Sequence, residues 1–191
     1  GGMGRVYEAQ HVSIRGKRFA LKTLHPEFTR RKDVLARFQR EVEAAASIDS
    51  PHVVGVYEVD QTEDGRPFLV SELLEGKELG DYLDQAGKIS VGFAVHIVRQ
   101  ICRALSAAHD KGVIHRDMKP ENVFIVLEDD SIRVLDFGTS KFQRGVIKTT
   151  DRFRIIGTHA YMSPERLQAG KIDVREDIYA AGGHILYEML C

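Results

Sequence analysis

The sequence has no Cys-x-x-Cys pair and no His-x-x-x-His pair beside a glutamate, which removes the usual spacings of a structural zinc site. It has only two cysteines, Cys102 and Cys191, far apart in apolar helical contexts. They read as two buried free thiols of a reducing compartment. No apolar run approaches the roughly 18 residues that a membrane span needs. Residues 1–10 lack the apolar segment of a secretion signal. Neither sign of charge dominates, since 27 Lys and Arg stand against 28 Asp and Glu, a net of −1. Bulk charge therefore gives no argument for a nucleic acid or a membrane surface as partner. The one dense basic run, Arg30, Arg31 and Lys32 followed by Arg37 and Arg40, reads as a solvated helix face. Repeats, low-complexity tracts and long linkers are missing too.

What remains is globular. Hydrophobic residues make up 43% and charged residues 29% of 191, which excludes a disordered, collagen-like or disulfide-packed chain. The length suits one large domain or two small ones, burying roughly 70% of the unfolded surface. The opening Gly1-Gly2-Met3-Gly4 resembles the middle of a loop, and the closing run 185–191 the middle of an apolar helix. The expectation is a piece of a longer chain.

Periodicity divides the chain into a strand-rich first part (about 1–72) and a helix-rich second part (about 77–191). Strands are expected at 5–11 and 17–24, then at 53–59 and 66–72 around Glu63-Asp64-Gly65. A helix is expected over 31–48, with Val34, Leu35, Phe38, Val42, Ala45 and Ala46 at 3–4 spacing. After a break at Gly76, a short helix near 78–86 precedes a long one over 91–110. Ser90 caps it, and Ala94, Ile97, Val98, Ile101, Leu105 and Ala108 form its apolar stripe. Gly112 ends it. Short apolar runs follow at 122–127 and 131–135, then a long polar stretch over 138–160. Residues 174–190 read as a buried helix.

The chemistry concentrates in His115-Arg116-Asp117-Met118-Lys119-Pro120-Glu121-Asn122 and, further on, Asp136-Phe137-Gly138. Asp117, Lys119, Asn122 and Asp136 supply a base, a cation and two oxygen ligands, the parts that phosphoryl transfer needs. Oxygen ligands of this kind suit Mg²⁺. Either motif alone also fits a turn that uses Asp and Asn for capping. Both in this order, with Asp136 nineteen positions after Asp117, favour the chemistry.

In these motifs the sequence resembles the protein-kinase catalytic domain. The landmarks come in family order: Gly2-x-Gly4 before Val6, Ala20-x-Lys22, Glu41, the two motifs above, and Ser163-Pro164-Glu165. Gly157-Thr158 through Glu165 looks most like the bacterial Ser/Thr kinases of eukaryotic-like type. The resemblance implies an α+β, two-lobed fold in which 1–191 is a partial kinase domain. Residues 1–72 would be an N-lobe lacking its first strand, 73–76 a hinge, and 77–191 a C-lobe lacking its last helices. It implies ATP with Mg²⁺ or Mn²⁺, protein substrates with Ser/Thr acceptors, no nucleic-acid recognition and a cytoplasmic location. A full-length parent could still be membrane-anchored elsewhere.

Residue roles follow from the same resemblance. Lys22 would hold the α- and β-phosphates and pair with Glu41. Asp117 would take the proton of the acceptor hydroxyl, and Lys119 would neutralise the γ-phosphate. Asn122 and Asp136 would bind the metal. Gly2 and Gly4 would approach the phosphates, Val6 and Ala20 would roof the adenine, and Phe124 would floor it. Ser71 would be the gatekeeper, with Glu72 and Leu74 giving hinge backbone hydrogen bonds. Thr158 would buttress Asp117 and Lys119. Thr150 would be an autophosphorylation site facing Arg116, and Glu121 would attract a basic substrate residue. Asp177 would brace the catalytic loop from below, and Glu165 would be a partly buried carboxylate without its usual arginine. Between Asp177 and Tyr187 the chain carries one residue more than the family pattern, which would shift the buried face of the helix unless a bulge absorbs it. Two alternatives stay open: a pseudokinase or regulatory nucleotide-binding module, and a small-molecule phosphotransferase.

Overall fold

The structure is a computed structural model that describes residues 4–24, 39–40, 42–63, 65–137, 161–167 and 172–191. Alternating side chains build its first sheet. β1 (Gly4–Gln10) and β2 (Arg18–Leu24) pair antiparallel, and Gly16 supplies the left-handed turn residue at φ +79° between them. β3 (Val56–Gln61) and β4 (Pro67–Glu72) complete an antiparallel sheet in the order β1-β2-β4-β3.

β3 begins later than the expected residue 53, because the residues before it hydrogen-bond elsewhere. Val53 bridges to Val134, the Val54 amide donates to the Val134 carbonyl at 3.1 Å, and the Val134 amide donates to the His52 carbonyl at 2.8 Å. These bonds tie the first sheet to the second lobe. Residues 39–40 and 42–46 are helical (α1), within the expected 31–48, and bury Val42 and Ala45. The rest of that stretch up to residue 38, and residue 41, lie outside the described residues.

The second lobe opens with β5 (Gly76–Glu78) and α2 (Leu79–Ala86). α3 (Val91–Asp110) is its central beam. The Ser90 hydroxyl accepts the Phe93 amide at 3.2 Å, the expected N-cap. Gly112 at φ +70° turns the chain away after the last helical residue. Ala94, Ile97, Ile101, Ala104, Leu105 and Ala108 are fully buried along one face. They meet β6 (Val123–Val126), β7 (Ile132–Val134) and the C-terminal helical stretch in a single core cluster. β5-β6-β7 form a second antiparallel sheet.

After α4 (Pro164–Leu167), α5 (Arg175–Tyr179) runs into a π-helical segment, Ala180–Ile185, and then α6 (Leu186–Leu190). The π segment sits where the sequence has its extra residue. A π turn widens to i→i+5 bonding and takes up one residue without turning the following helix. Ala181, Ile185 and Met189 thus all face the core.

Three expectations are corrected. Residues 174–190 are amphipathic rather than buried throughout, with Ile178, Tyr179 and Tyr187 exposed. Both cysteines are exposed, not buried. Cys102 follows the core-facing Ile101, and one residue turns a helix by about 100°, out of the stripe. Glu165 is exposed, so water solvates it and no buried partner is required.

Candidate active site

The first sheet gathers the nucleotide-side candidates by register. Directly paired residues share a face, as do residues two apart on one strand. Val6 lies opposite Lys22, Ala20 lies opposite Ser71, and Ala20 is two residues from Lys22. Val6, Ala20, Lys22 and Ser71 therefore share one face. Val6 is 64% exposed at its edge, and Gly4, the first described residue, is buried at the start of β1. The connection to the second lobe is held beside Glu72. Its amide donates to the Gly55 carbonyl at 2.8 Å, and its carboxylate accepts the Gly55 amide at 3.3 Å and lies 3.5 Å from Arg133 Nε. Leu74 is half-buried in that connection.

Below it, Phe124 on β6 stands opposite Glu78 and Arg133. β5 can lie on it only because residue 76 is glycine. Gly76 has φ +157°, and a Cβ there would stand 1.9 Å from the Ile125 carbonyl oxygen and 2.9 Å from Phe124 Cε1.

The loop after α3 is built on a buried carboxylate. Asp177 is fully buried and accepts three hydrogen bonds. They come from His109 Nε2 at 2.8 Å, the His115 amide at 2.8 Å and the Arg116 amide at 2.7 Å. The expected brace is thus present. His115 Nε2 donates to the Leu135 carbonyl at 2.7 Å, while its Nδ1 accepts the Asp117 amide at 3.3 Å, which fixes the tautomer. Its ring meets Phe137 edge-on at 4.7 Å, so the two motifs pack directly on each other.

Asn122 Nδ2 donates to the Asp117 carbonyl at 2.6 Å and lies 3.4 Å from Asp117 Oδ2. Lys119 Nζ is 3.4 Å from the same carboxylate oxygen. Arg116 and Asp136 both sit at positive φ, +68° and +59°. Such strain is uncommon outside glycine and concentrates at functional sites. Across the cleft, Lys22 Nζ reaches both Asp136 oxygens, at 2.5 and 2.7 Å. One ion pair thereby joins the sheet face to residues 135–137, which pack on the loop that carries Asp117, Lys119 and Asn122.

Around the mouth, Glu121 is exposed on the 3₁₀ turn Pro120–Asn122. Nearby Glu78 is half-buried. Burial, then the negative charges of Asp81, Glu121 and Asp136, hold its carboxyl above the usual range. Gly2, Glu41, Thr150 and Thr158 lie outside the described residues.

The protein kinase domain family matches residues 1–191. This chain belongs to that family. It is 38% identical over its whole length to serine/threonine-protein kinase Pkn1 of Myxococcus xanthus, and 33% identical to serine/threonine-protein kinase PknB of Mycobacterium leprae. The chain spans 27% and 30% of the lengths of those two relatives. The crystal structure of the Mycobacterium tuberculosis PknI kinase domain superposes with a TM-score of 0.73 at 29% identity. That match covers 95% of this chain and 66% of the PknI chain. The kinase fold thus accounts for the two lobes.

Sequence reasoning missed several polar contacts. Gln100 in the α3 stripe accepts the Ile132 amide at 3.1 Å through its side-chain oxygen. Arg133 reaches Glu72 across the lobes. Arg166 pairs with Glu176 beneath the loop 115–122. The acidic pair Glu176-Asp177 inside an apolar stretch was the one available signal for the last.

Proposed function

We propose that this protein transfers the γ-phosphoryl group of ATP to Ser and Thr hydroxyls of protein substrates. The observation that carries the reading is the convergence of Lys22, Asp136, Asn122, Asp117 and Lys119 on one cleft. Phosphoryl transfer needs alignment and charge neutralisation more than covalent help, and this set offers both. The relatives to which the chain is 38% and 33% identical are called serine/threonine-protein kinases.

In this reading the acceptor hydroxyl lies against Asp117, whose carboxylate takes its proton. The hydroxyl oxygen bonds to the γ-phosphorus as the bond to the β–γ bridging oxygen breaks, and ADP leaves. Lys119 neutralises the moving phosphoryl group. Lys22 exchanges Asp136 for the α- and β-phosphates, and Glu41 is its proposed protein partner then. Val6, Ala20 and Phe124 enclose the adenine beside Ser71, and Glu72 and Leu74 hold its edge. Gly2 and Gly4 lie over the phosphates.

The metal donors fit Mg²⁺. Asp136 and Asn122 offer hard oxygens, and Asn122 has its amide nitrogen committed to Asp117, which leaves Oδ1 for a cation. No cluster of three or more His, Cys, Asp or Glu among the described residues would hold an ion alone. A site with two protein oxygens suits an ion that prefers substrate phosphates as its other ligands. Bound there, Mg²⁺ (or Mn²⁺) would neutralise phosphate charge. Thr158 is proposed to support Asp117 and Lys119, Thr150 to be autophosphorylated, and Glu121 to face a basic substrate residue.

The test is incubation with [γ-³²P]ATP, Mg²⁺ and either a generic basic protein or small alcohols. The reading predicts label in the protein, recovered as phosphoserine and phosphothreonine. Label in the alcohols alone would favour a small-molecule phosphotransferase, and nucleotide binding without label a pseudokinase. Phosphopeptide mapping that finds every autophosphorylated site away from Thr150 would remove that residue's assignment.

A further inference from the structure

The strained residue before Asp117 is gripped at both ends. Arg116 sits at φ +68°, and its amide donates to Asp177 Oδ1 at 2.7 Å. Its carbonyl oxygen belongs to the Arg116–Asp117 peptide and accepts Nη1 of Arg166 at 2.6 Å. The same Nη1 makes a short ion pair with Glu176 Oε1, and Glu176 Oε2 accepts the Ser163 hydroxyl at 2.9 Å. Glu176 and Asp177 are chain neighbours. One holds the amide end of Arg116 directly, and its neighbour's arm reaches the carbonyl end through Arg166.

Stability alone is a poor account of this arm. The Arg166 and Glu176 side chains are 7% and 4% exposed, and Arg166 Nε is buried with no hydrogen-bond partner among the described residues. Desolvating an ion pair offsets much of its attraction, and an apolar pair of similar volume often does as well. A guanidinium nitrogen on a peptide carbonyl does supply something an apolar pair lacks. It is a directional, charge-assisted bond that fixes the peptide plane. That plane sets where the next side chain, Asp117, points.

We propose that Arg166, held by Glu176 and Ser163, is a positioning residue that fixes the Arg116–Asp117 peptide and so aims the Asp117 carboxylate. The proposal rests on the kinase reading for what Asp117 does, and on the geometry alone for the clamp.

The test compares Arg166→Met, Arg166→Lys and the double variant Arg166→Met/Glu176→Gln in the full-length protein. Arg166→Met is expected to lower kcat on the order of tenfold to a hundredfold, because a small misplacement at the reacting centre is costly. The KM for ATP stays unchanged, since no nucleotide contact is lost. Arg166→Lys, which keeps a cationic donor, recovers part of the loss. The double variant removes the stranded buried carboxylate, so its thermal midpoint returns toward wild type while kcat stays low. Recovery of kcat together with the midpoint would make the role merely structural and overturn the proposal.

A second readout is independent of transfer. Arg116-Asp117 is the one Arg-Asp dipeptide in these 191 residues, and its disappearance in Asp117→Asn assigns its correlated resonance under Arg ¹³C′ and Asp ¹⁵N labelling. Loss of the donor moves the Arg116 carbonyl upfield in Arg166→Met, and Arg166→Lys serves if the Met variant does not fold. A resonance that stays in place overturns the clamp. A wild-type protein without transfer activity overturns the kinase reading alone, and the carbonyl resonance then decides the clamp.

Discussion

β2 and the loop 115–122 each bring a lysine to the cleft, on very different foundations. Around Lys22, the strand residues Phe19 to Thr23 are half-buried, and Val6 and Tyr7 on the neighbouring strand are 64% and 47% exposed. Around Lys119, His115 and Met118 are buried, and the floor beneath is the fully buried stripe of α3. The loop's backbone is further held at Asp177 and Asn122. In the proposed reading, the groups that align a reacting hydroxyl sit on the densely packed side. Those that admit a nucleotide sit on an open face. Regions with few buried contacts are the ones that open at low cost.

The largest expected effect lies in the packed region and concerns chemistry. Asp117→Asn should lower kcat by about 10²–10⁴-fold, the usual worth of a positioned general base. Its thermal midpoint should barely move, as the replacement is isosteric. Steady-state kinetics beside thermal unfolding checks this, and an undiminished kcat would remove Asp117 from its role.

Next come two truncations that probe the contrast in packing. Leu105→Ala in the α3 stripe should cost about 2–5 kcal/mol of stability. Val6→Ala on the open face should change stability by no more than about 0.5 kcal/mol, while raising the KM for ATP. Urea unfolding of both variants measures the difference. Equal losses would mean that the two regions are packed alike.

Gly76→Ala tests the junction between them. With a Cβ 1.9 Å from the Ile125 carbonyl, β5 must leave β6 or bend. A loss of about 1–3 kcal/mol is expected, the usual worth of a strained backbone position, with weakened nucleotide binding because Phe124 shifts. Unchanged binding would show that β5 does not set the floor of the pocket.

The smallest effect is a pH dependence at the mouth. Glu78 is held above its ordinary value, chiefly by burial. Its folded state therefore binds the proton more tightly than the unfolded chain. The stability this contributes is present below the ordinary carboxylate range and is lost as pH rises through the folded value. Glu78→Gln should accordingly raise the thermal midpoint at about pH 7 and give no gain at about pH 4. A gain of equal size at both would place the cause outside Glu78 ionisation.

The strands, α3 with its Ser90 cap, and the linear motifs were legible because each is a local pattern. Alternation, 3.6-residue periodicity and turn residues act over a few positions. The bulge after Asp177 was legible as one surplus residue, which the π segment Ala180–Ile185 takes up. The contacts that escaped are those between distant residues. Lys22 meets Asp136 of the other lobe, and Arg166 meets the carbonyl of Arg116. Nothing local in the sequence marks such pairs. Cys102 failed for another reason: an apolar helical neighbourhood does not say which face a residue occupies, and Cys102 falls outside the stripe.

The central claim is that the open face and the packed loop close around a metal-bound nucleotide. Thermal unfolding of wild-type protein and Asp136→Asn, each with and without ATP and Mg²⁺, tests it most directly. A ligand that binds only the folded state raises the midpoint, by about 2.7 kcal/mol of added stability at a hundred times its Kd. The account predicts a rise for wild type that requires both ATP and Mg²⁺, and a much smaller rise for Asp136→Asn. An equal rise in the two proteins, or one indifferent to Mg²⁺, would contradict it.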